Sequence, residues 1–137
     1  MKILIIGGVA GGATAAARLR RMDENAQIIL FERGEYVSYA NCGLPYYIGG
    51  IISERDRLFV QTVDGFINRF NIDIRVKSEV TGIDLKNKSI RVHDIVANRD
   101  YAESYDKLII STGAEPIKPR MAGIEDNRIF SLRNVPD

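Results

Sequence analysis

Residues 2–22 read KILIIGGVAGGATAAARLRRM, and this stretch decides the fold. KILII (2–6) is apolar, rich in isoleucine and closed by glycine, the pattern of a short parallel strand buried on both faces. Residues 10–23 carry the spacing of an amphipathic helix, with alanines, Leu19 and Met22 turned inward and arginines outward. QIILF (27–31) follows as a second buried strand. Together they make a βαβ unit of about 30 residues and predict an α/β fold of Rossmann type, with a parallel sheet at its centre.

The loop GGVAGG (7–12) sits between the first strand and its helix, where a dinucleotide-binding fingerprint belongs. Glycine lets the backbone turn tightly and approach a pyrophosphate, and the helix N-terminus supplies free N–H donors and partial positive charge. Gly7 and Gly12 fit the first and last positions of G-x-G-x-x-G, Val9 occupies the middle one, and Gly11 is extra. Glu32 ends the second strand twenty positions after Gly12, where a carboxylate can bond both hydroxyls of a ribose. The same carboxylate disfavours a 2′-phosphate, so the expected ligand is of the FAD or NAD kind.

The chain has 137 residues, 45% apolar and 27% charged, with a formal net charge of +1. That is the profile of a globular domain with a modest core. The charge balance points to no nucleic acid or other polyanion. Cys42 is the only cysteine and His93 the only histidine, so neither an internal disulfide nor a zinc site is expected. A reducing, cytoplasmic setting follows from that cysteine usage. Lys2 and the run ILII could be mistaken for a signal peptide, but glycines break the run after four residues. No stretch approaches the ~20 apolar residues of a membrane span.

Further along, residues 42–48 are expected to form a short helix that tolerates Pro45 in its first turn. Residues 62–70 form another, with Val63, Phe66, Ile67 and Phe70 on one face. Residues 73–76, 79–85, 89–95 and 101–105 read as strands of a smaller, more polar antiparallel meander. Residues 107–111, KLIIS, return to a buried strand, Pro116 and Pro119 then forbid regular structure, and residues 128–132 form one more short strand. His93 is expected on the surface, and Tyr46 and Tyr47 in packing roles.

YDKLIISTGAEP (105–116) resembles the strand and Thr-Gly turn that pass close to the flavin nucleotide in two-dinucleotide flavoproteins. With IIGGVAGGATAAARLRR, the strand ending in Glu32, and SYANCGLPYYIGG (38–50), the chain resembles the FAD-binding part of the pyridine nucleotide–disulfide oxidoreductases. Within them it resembles the single-cysteine branch, and most closely the coenzyme A-disulfide reductases. The resemblance implies FAD contacts at Gly7, Val9, Ala10, Gly11, Gly12, Ala13, Glu32, Arg33, Asn41, Val80, Ser111, Thr112 and Gly113. It carries coenzyme A contacts onto Thr14, Arg18, Arg21, Ser38 and Asn41. A lysine that contacts coenzyme A in the family is replaced here by Phe70.

A free cysteine is most often a buried, inert thiol, but the family pattern Ser, aromatic, two residues, Cys is met by Ser38, Tyr39 and Cys42. Leu44 through Tyr47 offer no second thiol, so Cys42 can cycle as a mixed disulfide with a small thiol or as a sulfenic acid. Both need a thiolate, which a helix opening at Cys42 would favour. Members that use sulfenic acid carry a histidine at the place of Ala10, and Asn41 is the coenzyme A-disulfide reductase choice. The resemblance thus implies an oxidoreductase that passes electrons from NAD(P)H through FAD to Cys42 and reduces coenzyme A disulfide, polysulfide or a persulfide. An NADH oxidase or peroxidase, and a non-catalytic nucleotide-binding module, are the alternatives. It further implies that residues 1–137 are the N-terminal part of the FAD domain. The NAD(P)H-binding and dimerisation domains of a homodimeric enzyme are then absent from this chain, and the isolated chain does not turn over NADH.

Overall fold

In the computed structural model, which describes all 137 residues, the glycine-closed strand and its helix form as read. β1 (Lys2–Ile6) leads into α1 (Ala10–Met22) and β2 (Gln27–Phe31). α2 (Leu44–Ile48) and α3 (Val63–Phe70) precede β3 (Asp73–Arg75), and β4 (Ser78–Asp84), β5 (Ser89–Asp94), β6 (Arg99–Ser104) and β7 (Lys107–Ile110) complete the elements. One four-stranded sheet has the order β3-β2-β1-β7, all parallel. The other is the antiparallel meander β4-β5-β6.

Strands β1 and β2 are apolar along their whole length because both faces are covered. One face, with Ile3, Ile5, Ile28 and Leu30, packs on α1 and α3 through Ala13, Ala16 and Phe66. The opposite face, with Leu4, Ile6, Ile29 and Phe31, packs on the meander through Ile90 and Val92. The three layers are therefore helices, parallel sheet and meander. This explains why β5 alternates buried and exposed positions while β1 does not.

Five expectations are corrected. Residues 107–111 are not a buried strand: β7 ends at Ile110 and forms the edge of the parallel sheet, where no further strand flanks it, so Lys107 and Ile110 are exposed and Leu108 and Ile109 half-buried. Residues 73–75 join the parallel sheet beside β2, not the meander; Ile74 reaches the helix-side core, and a three-residue strand, DIR, is too short for periodicity to assign. Residues 128–132 form no strand: Asp126 and Arg128 close a local turn there. Met22 lies in the last turn of α1 and is exposed, so only Leu19 of the inward pair packs on the core. In α3, Phe66 is buried and Val63 and Phe70 pack beside it, but Ile67 is exposed, because the helix rests on the sheet along a narrow stripe.

Thr62 caps α3 through Oγ1, which accepts the Gly65 N–H at 3.1 Å. Arg20 ties α1 to the end of α3, donating from Nε to the Phe70 carbonyl and from Nη2 to that of Asn71. No helix is long and apolar enough to cross a membrane.

Candidate functional site

The C-terminal ends of β1, β2 and β7 open into one cleft of about 730 Å3. This is where open α/β sheets bind ligands. Backbone pairing fixes its floor: the Gly7 N–H donates to the Phe31 carbonyl and the Ser111 N–H to the Ile6 carbonyl, each at 2.8 Å. Gly7 has φ +99°, and a Cβ there would lie 2.1 Å from the Ser111 carbonyl oxygen. A Cβ on Gly12 would lie 1.7 Å from the Gly7 carbonyl oxygen. The first and last glycines of the loop are therefore required by backbone contact alone.

The Glu32 carboxylate spans the loop mouth. Oε2 accepts the Gly8 N–H at 2.8 Å and Oε1 accepts the Gly34 N–H at 2.7 Å. Each oxygen keeps a further lone pair. No side chain caps the N-terminus of α1, and its first turn holds no acidic residue. The first amide donors of that helix are thus open to an anion from the cleft side, where Ala10 and Gly11 lie. An open helix start and the Glu32 carboxylate on one cleft fit the pyrophosphate and sugar of a dinucleotide.

Val9, at the middle position of the fingerprint, packs against Tyr39, Leu44 and Leu58. The phosphate loop is thereby joined through an apolar cluster to the segment that carries Cys42. Tyr39 itself is buried and lines the cleft; burial pushes its phenol pKa up, with Arg133 partly opposing. Ser38 holds a left-handed backbone, φ +49°, between two contacts. Its N–H donates to the Gly8 carbonyl at 2.9 Å, and its own carbonyl accepts the Val60 N–H at 2.8 Å.

Of the residues singled out in the sequence, Gly7, Val9, Ala10, Gly11, Glu32 and Arg33 line the cleft. So do Asn41, Val80, Ser111, Thr112 and Gly113. Val80 pairs with Val92, and the β4–β5 register shifts just after it, before Gly82. Gly12 and Ala13 are buried behind the loop. Thr14, Arg18 and Arg21 lie outside the cleft on the exposed side of α1, and neither Arg18 nor Arg21 makes an ion pair. Arg33 bridges the rim, with Glu79 at 3.8 Å and Glu115 at 3.3 Å.

Cys42 is exposed, directly after the cleft residue Asn41. It sits in the middle of a 3-10 turn, Asn41–Gly43, and α2 starts only at Leu44. The expected helix opening at Cys42 is therefore displaced by two residues, because Pro45 occupies the first turn of α2 and the chain enters it through the tighter turn. Tyr46 and Tyr47 are exposed and do not pack into the core. His93 lies on the meander with Nδ1 2.7 Å from Asp100 Oδ1; it pairs across the strands with Glu79 but does not itself line the cleft.

Sequence reasoning missed the segment after Ser131. Arg133, Asn134, Val135 and Asp137 fold back to line the cleft, and Arg133 Nε donates to the Ala114 carbonyl. Asn134 Oδ1 is buried there without a partner. No periodicity marks this stretch, and only tertiary contact brings it to the site.

Known proteins share this arrangement. The sequence profile of the pyridine nucleotide-disulphide oxidoreductases matches residues 1–137. The coenzyme A disulfide reductase of Staphylococcus haemolyticus is 40% identical over 136 residues, which is 99% of this chain and 30% of that protein. The chain thus spans about a third of the length of the curated relatives it matches. The reduced CoADR-RHD of Bacillus anthracis superposes with TM-score 0.95 and 57% identity over 98% of this chain and 24% of that one. The NAD-dependent persulfide reductase of A. fulgidus gives 0.93 and 38% over 99% and 25%, respectively. The water-forming NADH oxidase of Lactobacillus brevis gives 0.91 and 26% over 99% and 30%. With a matching profile along its whole length, and the parallel sheet, glycine loop and carboxylate in register, the chain belongs to the pyridine nucleotide-disulphide oxidoreductase family.

Proposed function

We propose that this chain forms the FAD-binding part of a disulfide reductase that cleaves coenzyme A disulfide, or a related persulfide or polysulfide, through Cys42. The observation that carries this reading is the exposed, solitary Cys42 beside Asn41, on a segment packed through Val9 onto a loop suited to a dinucleotide. Likeness to a coenzyme A disulfide reductase and to a persulfide reductase supports the substrate class.

In this reading Gly7, Ala10, Gly11 and the start of α1 hold the pyrophosphate, Gly12 and Ala13 let that helix approach, and Glu32 takes the ribose hydroxyls. Arg33, Asn41, Val80, Ser111, Thr112 and Gly113 complete the walls. Bound FAD supplies a two-electron relay from NAD(P)H. The Cys42 thiolate attacks one sulfur of the substrate disulfide; the S–S bond breaks, and the other half leaves as a thiolate that takes a proton from water. Two electrons and a proton then free the second thiol from the mixed disulfide and regenerate the Cys42 thiolate. Thr14, Arg18, Arg21 and Ser38 are assigned to the substrate. Arg18 and Arg21 stand three apart on an exposed helical face, where guanidinium groups can grip phosphates. A reducing cytoplasmic setting and a homodimeric longer protein belong to the same reading.

Incubating the chain with coenzyme A disulfide and weighing it without reductant is the test. One coenzyme A added to the native chain, lost on reduction and absent in Cys42→Ser, is expected. No adduct on the wild type sinks the reading. The likeness to a water-forming NADH oxidase favours a second one, in which Cys42 cycles as a sulfenic acid. A sulfenic acid formed by peroxide in a chain that never takes up coenzyme A is its signature.

A further inference from the structure

Arg75 ends β3 and lies between the parallel sheet and the meander. Its guanidinium donates to Asp73 Oδ2 from Nε at 3.0 Å and from Nη2 at 2.8 Å. Nη1 donates to Glu103 Oε2 at 2.7 Å and to the Tyr101 hydroxyl at 3.3 Å. The guanidinium carbon stands 5.4 Å from the centre of the Phe31 ring and 5.8 Å from that of Tyr101. Glu103 also pairs with Lys2 at the start of β1. One planar cation is thus held by β3 and β6 and roofs the last residue of β2.

The same residue reaches the dinucleotide cleft through its backbone. The Arg75 carbonyl accepts the Glu32 N–H at 2.9 Å, and the Glu32 carbonyl accepts the Ser78 N–H at 3.0 Å. Phe31, under the guanidinium, offers its carbonyl to Gly7. Arg75 thus holds the end of β2 twice, by its backbone bond to Glu32 and by its guanidinium over Phe31, one residue before the carboxylate that accepts the Gly8 amide.

We propose that Arg75 is a positioning residue for the dinucleotide site, holding the end of β2 so that Glu32 meets the Gly8 and Gly34 amides and faces the ligand. This rests on the dinucleotide reading of the cleft, but its first readout does not. Lysine at this place keeps the charge and loses the planar fork, so Arg75→Lys separates charge from geometry.

Amide hydrogen exchange followed by NMR on the ligand-free chain is the first measurement. Arg75→Met is expected to speed exchange at Gly8 and Glu32 by about tenfold relative to amides of α3, Arg75→Lys less so. Unchanged protection at Gly8 in a folded Arg75→Met chain overturns the proposal. If that variant does not fold, Glu103→Gln and Tyr101→Phe, which each remove one anchor, are read the same way.

Titration with ADP is the second measurement. Arg75→Met is expected to weaken ADP binding by about tenfold, and hardly at all when Glu32 is already glutamine, since residues acting through one another are not additive. Full additivity of the two changes overturns the proposal. A wild-type chain that ignores ADP and FAD sinks the dinucleotide reading alone, and the exchange data still decide the role of Arg75.

Discussion

Gly8 donates its amide hydrogen to Glu32 Oε2 at 2.8 Å, across 24 residues of sequence. This bond closes the phosphate loop onto the end of β2, so the loop and the carboxylate form one object. Glu32→Gln puts an amide group where two N–H donors need acceptors. It is expected to weaken ADP and FAD binding by at least tenfold, ~1.4 kcal/mol, read by titration calorimetry. Affinity equal to wild type removes Glu32 from the site.

Gly12 and Val9 lie in the same loop and should respond differently. A Cβ on Gly12 meets the Gly7 carbonyl oxygen at 1.7 Å. Gly12→Ala must therefore push α1 off β1, at a cost on the order of 3 kcal/mol or more. Val9→Gly restores the strict fingerprint but strips the contact with Tyr39, Leu44 and Leu58. It is expected to cost about 1–2 kcal/mol of stability, with dinucleotide affinity kept within about threefold. Chemical denaturation of both variants gives the order, and a milder loss for Gly12→Ala than for Val9→Gly contradicts the packing.

Cys42 is exposed in the folded chain. A thiol reagent such as dithionitrobenzoate should modify one cysteine per chain under native conditions, with no need of denaturant. The Cys42→Ser chain should show none and keep the melting temperature within about 2 °C, as surface changes do. Protection that lifts only on unfolding contradicts the exposed turn.

Glu103 contributes to the acid limb of stability. Burial would raise its pKa, but hydrogen bonds and charge from Lys2 and Arg75 outweigh that and hold it below the ordinary 4.5. The folded value is depressed, so the unfolded chain binds the proton first as pH falls. The stabilisation is therefore complete above the unfolded value and is lost as pH drops through the folded one. Between pH 5 and pH 3, taken as roughly the range around an unperturbed carboxyl, Glu103→Gln should flatten the fall in melting temperature. An unchanged acid limb means the pair with Arg75 does not contribute.

The sequence alone determined the βαβ unit, the glycine loop and the place of Glu32. Each is written in local terms: an apolar run, a helical stripe and glycines where no Cβ fits. It also marked Cys42 as unpaired, since it is the only cysteine in the chain. Tertiary structure alone decided the rest. Residues 73–75 were drawn into the parallel sheet by pairing with β2, which a three-residue strand cannot announce. The 3-10 entry to α2 moved Cys42 ahead of the helix, and Tyr46 and Tyr47 turned outward. Arg75 looks like an ordinary charged strand end until β6 arrives over it with Glu103 and Tyr101, 28 and 26 residues later. Arg133 and Asn134 likewise reach the cleft only because the chain folds back upon it. Periodicity reports which face of an element meets the core; which distant side chains meet each other depends on how whole layers pack, and no local pattern encodes that.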